Sequence, residues 1–209
     1  TMQALVQGLI VHVAETVLGT TTVGTADAPI DLGASWREVP YGELVEEAMG
    51  ADWYRLPDAE ARTRAAERGL DIDPAWDHVM VSHEVYEKLV EKTLVQPTFV
   101  TRLPAPLVPL ARACEDDPGR VDVFELVIGG QEISPGYSEQ HDPLEQRRQL
   151  EAQVGEDAEK LDEAFITALD HGMPPAGGMG LGIDRLVMVL TGAESIRDVI
   201  LFPQLKPRE

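Results

Sequence analysis

Two glutamates on a short hairpin are the residues whose type and spacing best suit chemistry. A Gly-Gly turn signal at 129–130, flanked by alternating apolar residues, predicts this hairpin. A two-residue turn pairs residues 125–128 in reverse order with 131–134, which places Glu125 and Glu132 diagonally on one face, roughly 7 Å apart. Such carboxylates suit Mg²⁺, particularly Mg²⁺ carried by a nucleotide phosphate. Spacing alone favours the alternative of a solvated face with two unpaired glutamates.

A glycine-rich segment over 177–185 is the second candidate. Its four glycines let the chain turn sharply, and the helix that follows offers N–H groups to an anion or a ring. Residues 186–190 are all apolar, which predicts a buried helix. Arg185 at its start therefore needs a partner, and a phosphate or a flat base suits a guanidinium. An ion pair with a core carboxylate explains Arg185 equally well.

The elements that must position these residues follow from periodicity and breakers. Apolar residues four apart, followed by Gly19, predict a first helix that buries one face. Thr, Val, Gly and Pro then indicate strand and turn. The pattern predicts helix over 1–18, strand and turn over 20–32, a helical insertion at about 41–80, helix over 83–92, strand over 94–101 and an acidic helical stretch over 143–168.

Charge and length limit the classes of function. The 209 residues suffice for one domain with a core, and 17 basic against 37 acidic residues give a formal net charge of −20. Such a field repels phosphate backbones, so we expect no tight binding of nucleic acid by this chain alone. The sequence contains no apolar run of membrane-spanning length and no signal-peptide pattern, which predicts a cytoplasmic protein without membrane contact.

Several segments resemble one enzyme family. Residues 177–191 (GGMGLGIDRLVMVLT) resemble motif 3 of class II aminoacyl-tRNA synthetases, and residues 195–203 (SIRDVILFP) resemble the end of the aspartyl, asparaginyl and lysyl group. Within that group the lysyl enzymes are the most similar. That closer similarity is carried by residues 96–99 (QPTF), 131–139 (QEISPGYSE) and 169–175 (LDHGMPP).

The resemblance implies a fold and an activity. The expected fold is α+β, part of the antiparallel class II synthetase sheet flanked by helices, with residues 1–209 forming the C-terminal part of the catalytic domain. The expected activity is ATP-dependent activation of lysine and its ligation to tRNA. Two alternatives stay open: a paralogue that acts on another acceptor or amino acid, and a non-catalytic binding or regulatory module.

The resemblance also assigns roles to five residues. It implies that Glu125 and Glu132 hold the Mg²⁺ of ATP, and that Arg185 acts as the catalytic arginine, lying against the adenine and near the γ-phosphate. Gly180 is expected to line the pocket shared by nucleotide and substrate. Glu139 matches the carboxylate that receives the ε-ammonium of lysine.

Three departures from the family pattern shape the expectations. Motif 1, motif 2 with its phosphate-binding arginine, and the anticodon-binding domain are not found in the sequence. We therefore expect an incomplete catalytic portion, inactive alone, that is completed in a homodimer or by a complementing chain and meets tRNA through other segments. Pro135 replaces a usual Asn and Gln131 a usual Arg, which indicates a drifted substrate pocket.

Overall fold

A five-stranded sheet forms the centre of the protein. The computed structural model describes residues 1–25, 28–154 and 161–202. The strands are β1 (Thr22–Thr25), β2 (Ala28–Asp31), β3 (Arg37–Pro40), β4 (Thr98–Thr101), β5 (Val123–Ile128), β6 (Gln131–Ser138) and β7 (Gly177–Met179). The helices are α1 (Met2–Val13), α2 (Tyr41–Met49), α3 (Asp58–Glu67), α4 (His78–Val85), α5 (Pro143–Val154), α6 (Glu163–Asp170) and α7 (Ile183–Thr191).

The sheet has the order β3-β4-β5-β6-β7, and β1 and β2 form a separate hairpin. Strands β4 to β7 pair in antiparallel fashion, whereas β3 and β4 are parallel. A parallel pair needs a long crossover connection. Here the chain forms α2 to α4 after β3 and before β4. The predicted mixed fold with helices around a sheet is confirmed, and its sheet is antiparallel except at this edge.

Both faces of the sheet are covered by apolar side chains. On one face, Val39, Val100, Val123 and Val127 join a cluster built mainly from α2, α3 and α4, with Trp53 fully buried. On the other face, strand residues pack with α1, α7 and the β1–β2 hairpin. That second cluster contains Val6, Ile10, Phe99, Phe124, Leu126, Ile128, Ile133 and Leu186. Alternate residues of β5 therefore belong to different cores, as the period of two requires.

The first helix has the ends that its sequence predicts. The hydroxyl of Thr1 accepts a hydrogen bond from the N–H of Ala4, which satisfies one of the free donors at the helix start. A π-turn over 14–18 extends α1, and Gly19 ends it in the left-handed conformation at φ +69°. Within the described residues, no helix is long and apolar enough to cross a membrane.

Two predicted elements differ in extent. The expected strand over 94–101 forms only from Thr98, because a 3₁₀-turn occupies Glu91–Thr93 and Pro97 stands before the strand. The expected acidic helix over 143–168 consists of α5 and α6, and its residues 155–160 lie outside the described residues. Residues 41–80 are mainly helical as predicted, whereas their assignment as an insertion stays a prediction.

Two glycines allow a matched test of packing. A Cβ on Gly136 would overlap Cζ of Phe124, whereas a Cβ on Gly8 of α1 would meet no atom within 4 Å. We expect Gly136→Ala to destabilise the protein by about 1–3 kcal/mol through overpacking. Gly8→Ala should stabilise it by about 0.5–1 kcal/mol through helix propensity. Urea denaturation measures both, and equal effects of the two substitutions would contradict this packing.

Candidate active site

The β5–β6 hairpin contains a bulge that changes the predicted register. Val127 lies opposite Glu132, as predicted, but Leu126 then lies opposite Ser134. Ile133 is left as the extra residue of a β-bulge. The predicted pairing of Leu126 with Ile133 is therefore wrong.

The same shift moves Glu125. It lies opposite Pro135 rather than Ser134, so that predicted pairing is wrong as well. Proline has no N–H for the ladder and is found in sheets mainly at edges and bulges. Pro135 stands two residues after the bulged residue, on a strand with neighbours on both sides. The proline was therefore the sequence signal for the irregularity.

The bulge decides which side chains share a face with the two hairpin glutamates. In regular pairing, residues seven apart, such as Glu132 and Glu139, point to opposite faces. The extra residue reverses the alternation of side chains between the two faces. As a result, Pro135 lies opposite Glu125, and Tyr137 lies opposite Val123. By the same alternation Glu139, the next residue but one, follows on that face. The hairpin thus presents three carboxylates on one side of the sheet.

Glu125 is partly buried within an apolar surface. It lies between Val123 and Val127 on β5, and both valines are buried in the core next to α2 to α4. Burial raises the pKa of the Glu125 carboxyl to about 8, and the negative charges of Glu132 and Glu91 add to the shift. The pair therefore does not form an ordinary solvated face. A cation between the carboxylates would relieve their repulsion.

Arg185 meets the hairpin at Glu132. Its Nη1 donates a hydrogen bond of 2.8 Å to the carbonyl oxygen of Glu132 and lies 3.9 Å from Oε2 of the same residue. The arginine side chain is 51% exposed, so this contact is no core ion pair. The prediction of a buried helix holds only in part, because Leu186 and Met188 of α7 are buried, whereas Val187, Val189 and Leu190 are half-buried.

The glycine-rich segment is hydrogen-bonded to β6. The N–H of Gly180 donates to the carbonyl of Pro135 at 2.8 Å, and the N–H of Gly182 donates to that of Ile133 at 2.8 Å. A Cβ on Gly180 would lie 3.5 Å from the ring of Pro135. Beside it, a cleft of about 210 Å³ is lined by residues that include Glu132, Pro135 and Arg185. The segment thus brings Gly180 and Arg185 to the hairpin.

Glu139 lies beyond the other end of β6. Its N–H donates to the carbonyl of Ala176, and a Cβ on Gly178 would lie 2.5 Å from its Oε1, so the carboxylate lies close to the backbone of Gly178. It lines a cleft of about 280 Å³ together with Arg112 and His141. Burial raises the pKa of Glu139.

The two arginines that follow Glu139 in the sequence, Arg147 and Arg148, are bound to other carboxylates. Nη2 of Arg147 lies 2.6 Å from Oε2 of Glu163, and Nη2 of Arg148 lies 2.5 Å from Oε1 of Glu145. Both arginines are therefore already paired with other carboxylates. This arrangement leaves the Glu139 carboxylate facing its cleft, where a cationic group of a ligand could bind.

The structure brings together some of the predicted site residues and separates others. Glu132 and Arg185 are in contact near the turn end of the hairpin, and Glu125 lies two residues from Val127, the strand partner of Glu132. Glu139 lies at the opposite end of β6, seven residues or roughly 20 Å along the strand from Glu132. Glu91 was not among the site residues predicted from the sequence, and its pKa is raised by burial and then by the negative charge of Glu132. Its spacing of four from Glu87, a helical period, was the available signal.

The donor set fits a magnesium ion that arrives with a nucleotide. Within the described ranges, no three His, Cys, Asp or Glu side chains are grouped as a complete metal centre. Mg²⁺ usually keeps several waters and binds through one or two carboxylates together with substrate phosphates. Two neighbouring carboxylates, Glu125 and Glu132, match that requirement. They do not match a cation held by protein ligands alone.

Comparison with known proteins finds one family. Residues 1–206 match the model of class II tRNA synthetases (D, K and N). A lysine–tRNA ligase of Shouchella clausii is 46% identical over 98% of this chain and 42% of its own length. Those of Moorella thermoacetica and Bacillus subtilis are 43% and 42% identical, over 44% and 43% of their lengths. The chain thus spans less than half the length of these relatives.

The raised pKa of Glu125 predicts a specific pH dependence. Its ordinary pKa of 4.5 rises to about 8 in the folded protein, so between these values the folded state binds more protons than the unfolded state. In the metal-free protein, the contribution of Glu125 to the free energy of unfolding is therefore fully present below about pH 4.5. This contribution is lost as the pH rises to about 8. Glu125→Gln should remove that loss.

Urea denaturation of the wild type and Glu125→Gln at pH 5, 6, 7 and 8 measures the difference. The gap in unfolding free energy should widen toward pH 8 in favour of the variant. A gap that does not change with pH would show that Glu125 titrates normally in the folded protein.

Proposed function

The chain belongs to the class II tRNA synthetases of the D, K and N group, and we propose that it provides the part of a lysine–tRNA ligase that binds Mg²⁺·ATP and the side chain of lysine. The relatives named lysine–tRNA ligase support the choice of lysine. Because the chain covers less than half of their length, the complete activity is part of the proposal. So is the incompleteness of the catalytic portion formed by this chain.

One observation carries the proposal: the bulged hairpin places Glu125, Glu132 and Glu139 on one face, with Arg185 at the Glu132 end. In this arrangement Glu125 and Glu132 would hold the Mg²⁺ of ATP, which would neutralise charge on the phosphates. Arg185 is exposed and its planar guanidinium would contact the adenine and the γ-phosphate. Gly180 would line the pocket by leaving its space free of a side chain.

Glu139 would select the amino acid. A lysine ammonium that enters a partly buried cleft loses hydration, and a fixed carboxylate compensates for that loss. The Glu139 carboxylate lies close to Gly178 and is free of Arg147 and Arg148. Neutral side chains would gain nothing from it. This carboxylate therefore supports lysine in particular over uncharged amino acids.

The proposed reaction is activation of an amino acid followed by its transfer. The lysine carboxylate oxygen attacks the α-phosphorus of ATP, the bond to the β-phosphate oxygen breaks, and pyrophosphate leaves. A hydroxyl at the tRNA 3′ end then attacks the lysyl carbonyl, loses its proton and displaces AMP. The residues of this chain would contribute by fixing the two substrates in reacting geometry and by matching their charge.

The partners follow from the same proposal. A chain with a formal charge of −20 offers little attraction to a phosphate backbone, so tRNA would be held through segments outside the matched part of the relatives. Completion of the site in a homodimer or by a complementing chain is part of the proposal. The place of action would be the cytoplasm, where tRNA is used.

A second candidate function rests on Pro135. This residue lies opposite Glu125 and against Gly180, so it lies where the two proposed substrates would meet. A proline cannot donate a backbone hydrogen bond, and its ring fills space that a polar side chain would otherwise use. A paralogue that activates another amino acid, or that lysylates another acceptor, is therefore the alternative. The exposed Gln131 next to the turn would be part of the same change in the substrate pocket.

A chimera tests the proposed function. The segment of the Shouchella clausii relative that matches this chain would be replaced by the chain, and amino-acid-dependent ATP–pyrophosphate exchange would be measured. We expect exchange with lysine. Glu139→Gln should weaken lysine binding by ~2–4 kcal/mol, because it deletes the charge and keeps the shape. The exposed Glu43→Gln on α2 is the control and should have no effect.

Two results would contradict the proposal. A folded chimera that prefers another amino acid would favour the paralogue. An unchanged preference for lysine over leucine in Glu139→Gln would remove the role assigned to this carboxylate, although the family membership would stand.

A further inference from the structure

The buried hydroxyl of Tyr86 is a feature that the proposed roles leave unexplained. Tyr86 is 3% exposed, and its hydroxyl has no hydrogen-bond partner among the described residues. The ring of Tyr41, which is fully buried, lies 4.9 Å from it between centroids, and the Tyr41 hydroxyl also has no partner in that part of the chain. Buried donors are nearly always paired, so two adjacent exceptions indicate a missing partner.

The position of Tyr86 connects it to the hairpin. It begins a π-turn over Tyr86–Val90, a distortion that is frequent at functional sites. It belongs to the same apolar cluster as Val100, Val123 and Val127. Val100 lies directly opposite Glu125 in the β4–β5 ladder. Tyr86 thus belongs to the layer that covers the sheet face on which Glu125 lies.

The electrostatics agree with this placement. Burial raises the pKa of the Tyr86 phenol, and the next contribution comes from the Glu125 carboxylate, followed by that of Glu91. For Tyr41, burial is again the first cause, and Glu125 also contributes. Both phenols therefore stay protonated and remain available as neutral donors beside Glu125.

We propose that the Tyr86 hydroxyl is a positioning group that donates a hydrogen bond to the Glu125 carboxylate, directly or through one water, when that carboxylate binds the Mg²⁺ of ATP. The inference rests on the proposed function. A carboxylate ligand has a second oxygen whose lone pairs need donors, and such donors fix the orientation of metal ligands. Tyr41 packs against the Tyr86 ring in a tilted arrangement and offers a second donor.

A binding experiment that separates this role from a structural one uses Mn²⁺·ATP as the probe and the chain as it stands. We expect Tyr86→Phe to weaken Mn²⁺·ATP binding about tenfold, the effect of losing a hydrogen bond to a charged group. The thermal midpoint of the ligand-free variant should be equal to or higher than that of the wild type, because the substitution removes an unpaired buried hydroxyl. Tyr41→Phe should show the same pattern with a smaller loss of binding.

Tyr54→Phe is the matched control. The Tyr54 hydroxyl is also buried without a hydrogen-bond partner in the described chain, but its ring lies under the guanidinium of Arg120, at 5.1 Å from the centroid. We expect this substitution to leave Mn²⁺·ATP binding unchanged. Loss of binding in Tyr54→Phe equal to that in Tyr86→Phe would overturn the inference, since any buried hydroxyl would then have the same effect.

Glu125→Gln distinguishes the two levels of the argument. If the wild type and Tyr86→Phe bind Mn²⁺·ATP equally while Glu125→Gln does not bind it, the inference is wrong and the proposed role of Glu125 stands. If Glu125→Gln binds as the wild type does, or the wild type shows no binding, both the proposed role and the inference fail. Weaker binding accompanied by a lowered thermal midpoint in Tyr86→Phe would indicate a structural role and would also overturn the inference.

Discussion

The β-bulge at Ile133 is the constraint on which the arrangement of the site depends. Glu132 and Glu139 are seven residues apart, and a regular strand would point them to opposite faces. One extra residue reverses the alternation and places Pro135 opposite Glu125. The bulge also directs Ile133 into the core shared with α1 and α7, where it is 1% exposed. The bulge therefore buries the side chain of Ile133 and at the same time places the three carboxylates on one face of the sheet.

Both faces of the sheet must be covered for this arrangement to persist. Phe124, Leu126 and Ile128 hold β5 from one side through the core with α1 and α7. Val123 and Val127 hold it from the other side beneath α2 to α4. Glu125 alternates with these valines, so its carboxylate lies within an apolar surface, where an isolated negative charge is unfavourable. A bound cation and a nearby phenol would each reduce that cost.

Most of the fold could be predicted from the sequence, and the limits have physical causes. The α1 helix, the β1–β2 hairpin and the turn at 129–130 follow from local periodicity and glycines, and the structure has all three. The register of the hairpin beyond Val127 could not be predicted in this way, because one extra residue leaves the hydrophobic pattern of the hairpin almost intact. Pro135 was the only local sign of it. The incomplete burial of α7 was not predicted, because composition alone does not reveal how many neighbours a helix has.

The residues that carry the chemistry of the candidate site could be predicted from the sequence, whereas the residues that pack around them could not. Residue types and turn geometry identified Glu125 and Glu132 as a carboxylate pair and Arg185 as a candidate partner of a phosphate or a base, and resemblance added Glu139. The roles of these residues stay predictions. The Tyr86 phenol and the Glu91 carboxyl lie about 35–40 residues from Glu125 along the chain, and only the packing of α4 and its π-turn on the sheet brings them near. Contacts of that kind have no signature in local sequence.

The position of a bound manganese ion shows whether Glu125 and Glu132 form the proposed metal site. Crystals of the chain grown with Mn²⁺·ATP would be measured near the manganese absorption edge, where anomalous scattering locates the ion independently of the protein density. We expect an anomalous peak bounded by the carboxylates of Glu125 and Glu132, with the nucleotide phosphates completing the coordination. Nucleotide bound elsewhere, or a manganese peak with no carboxylate of this hairpin among its ligands, would contradict it.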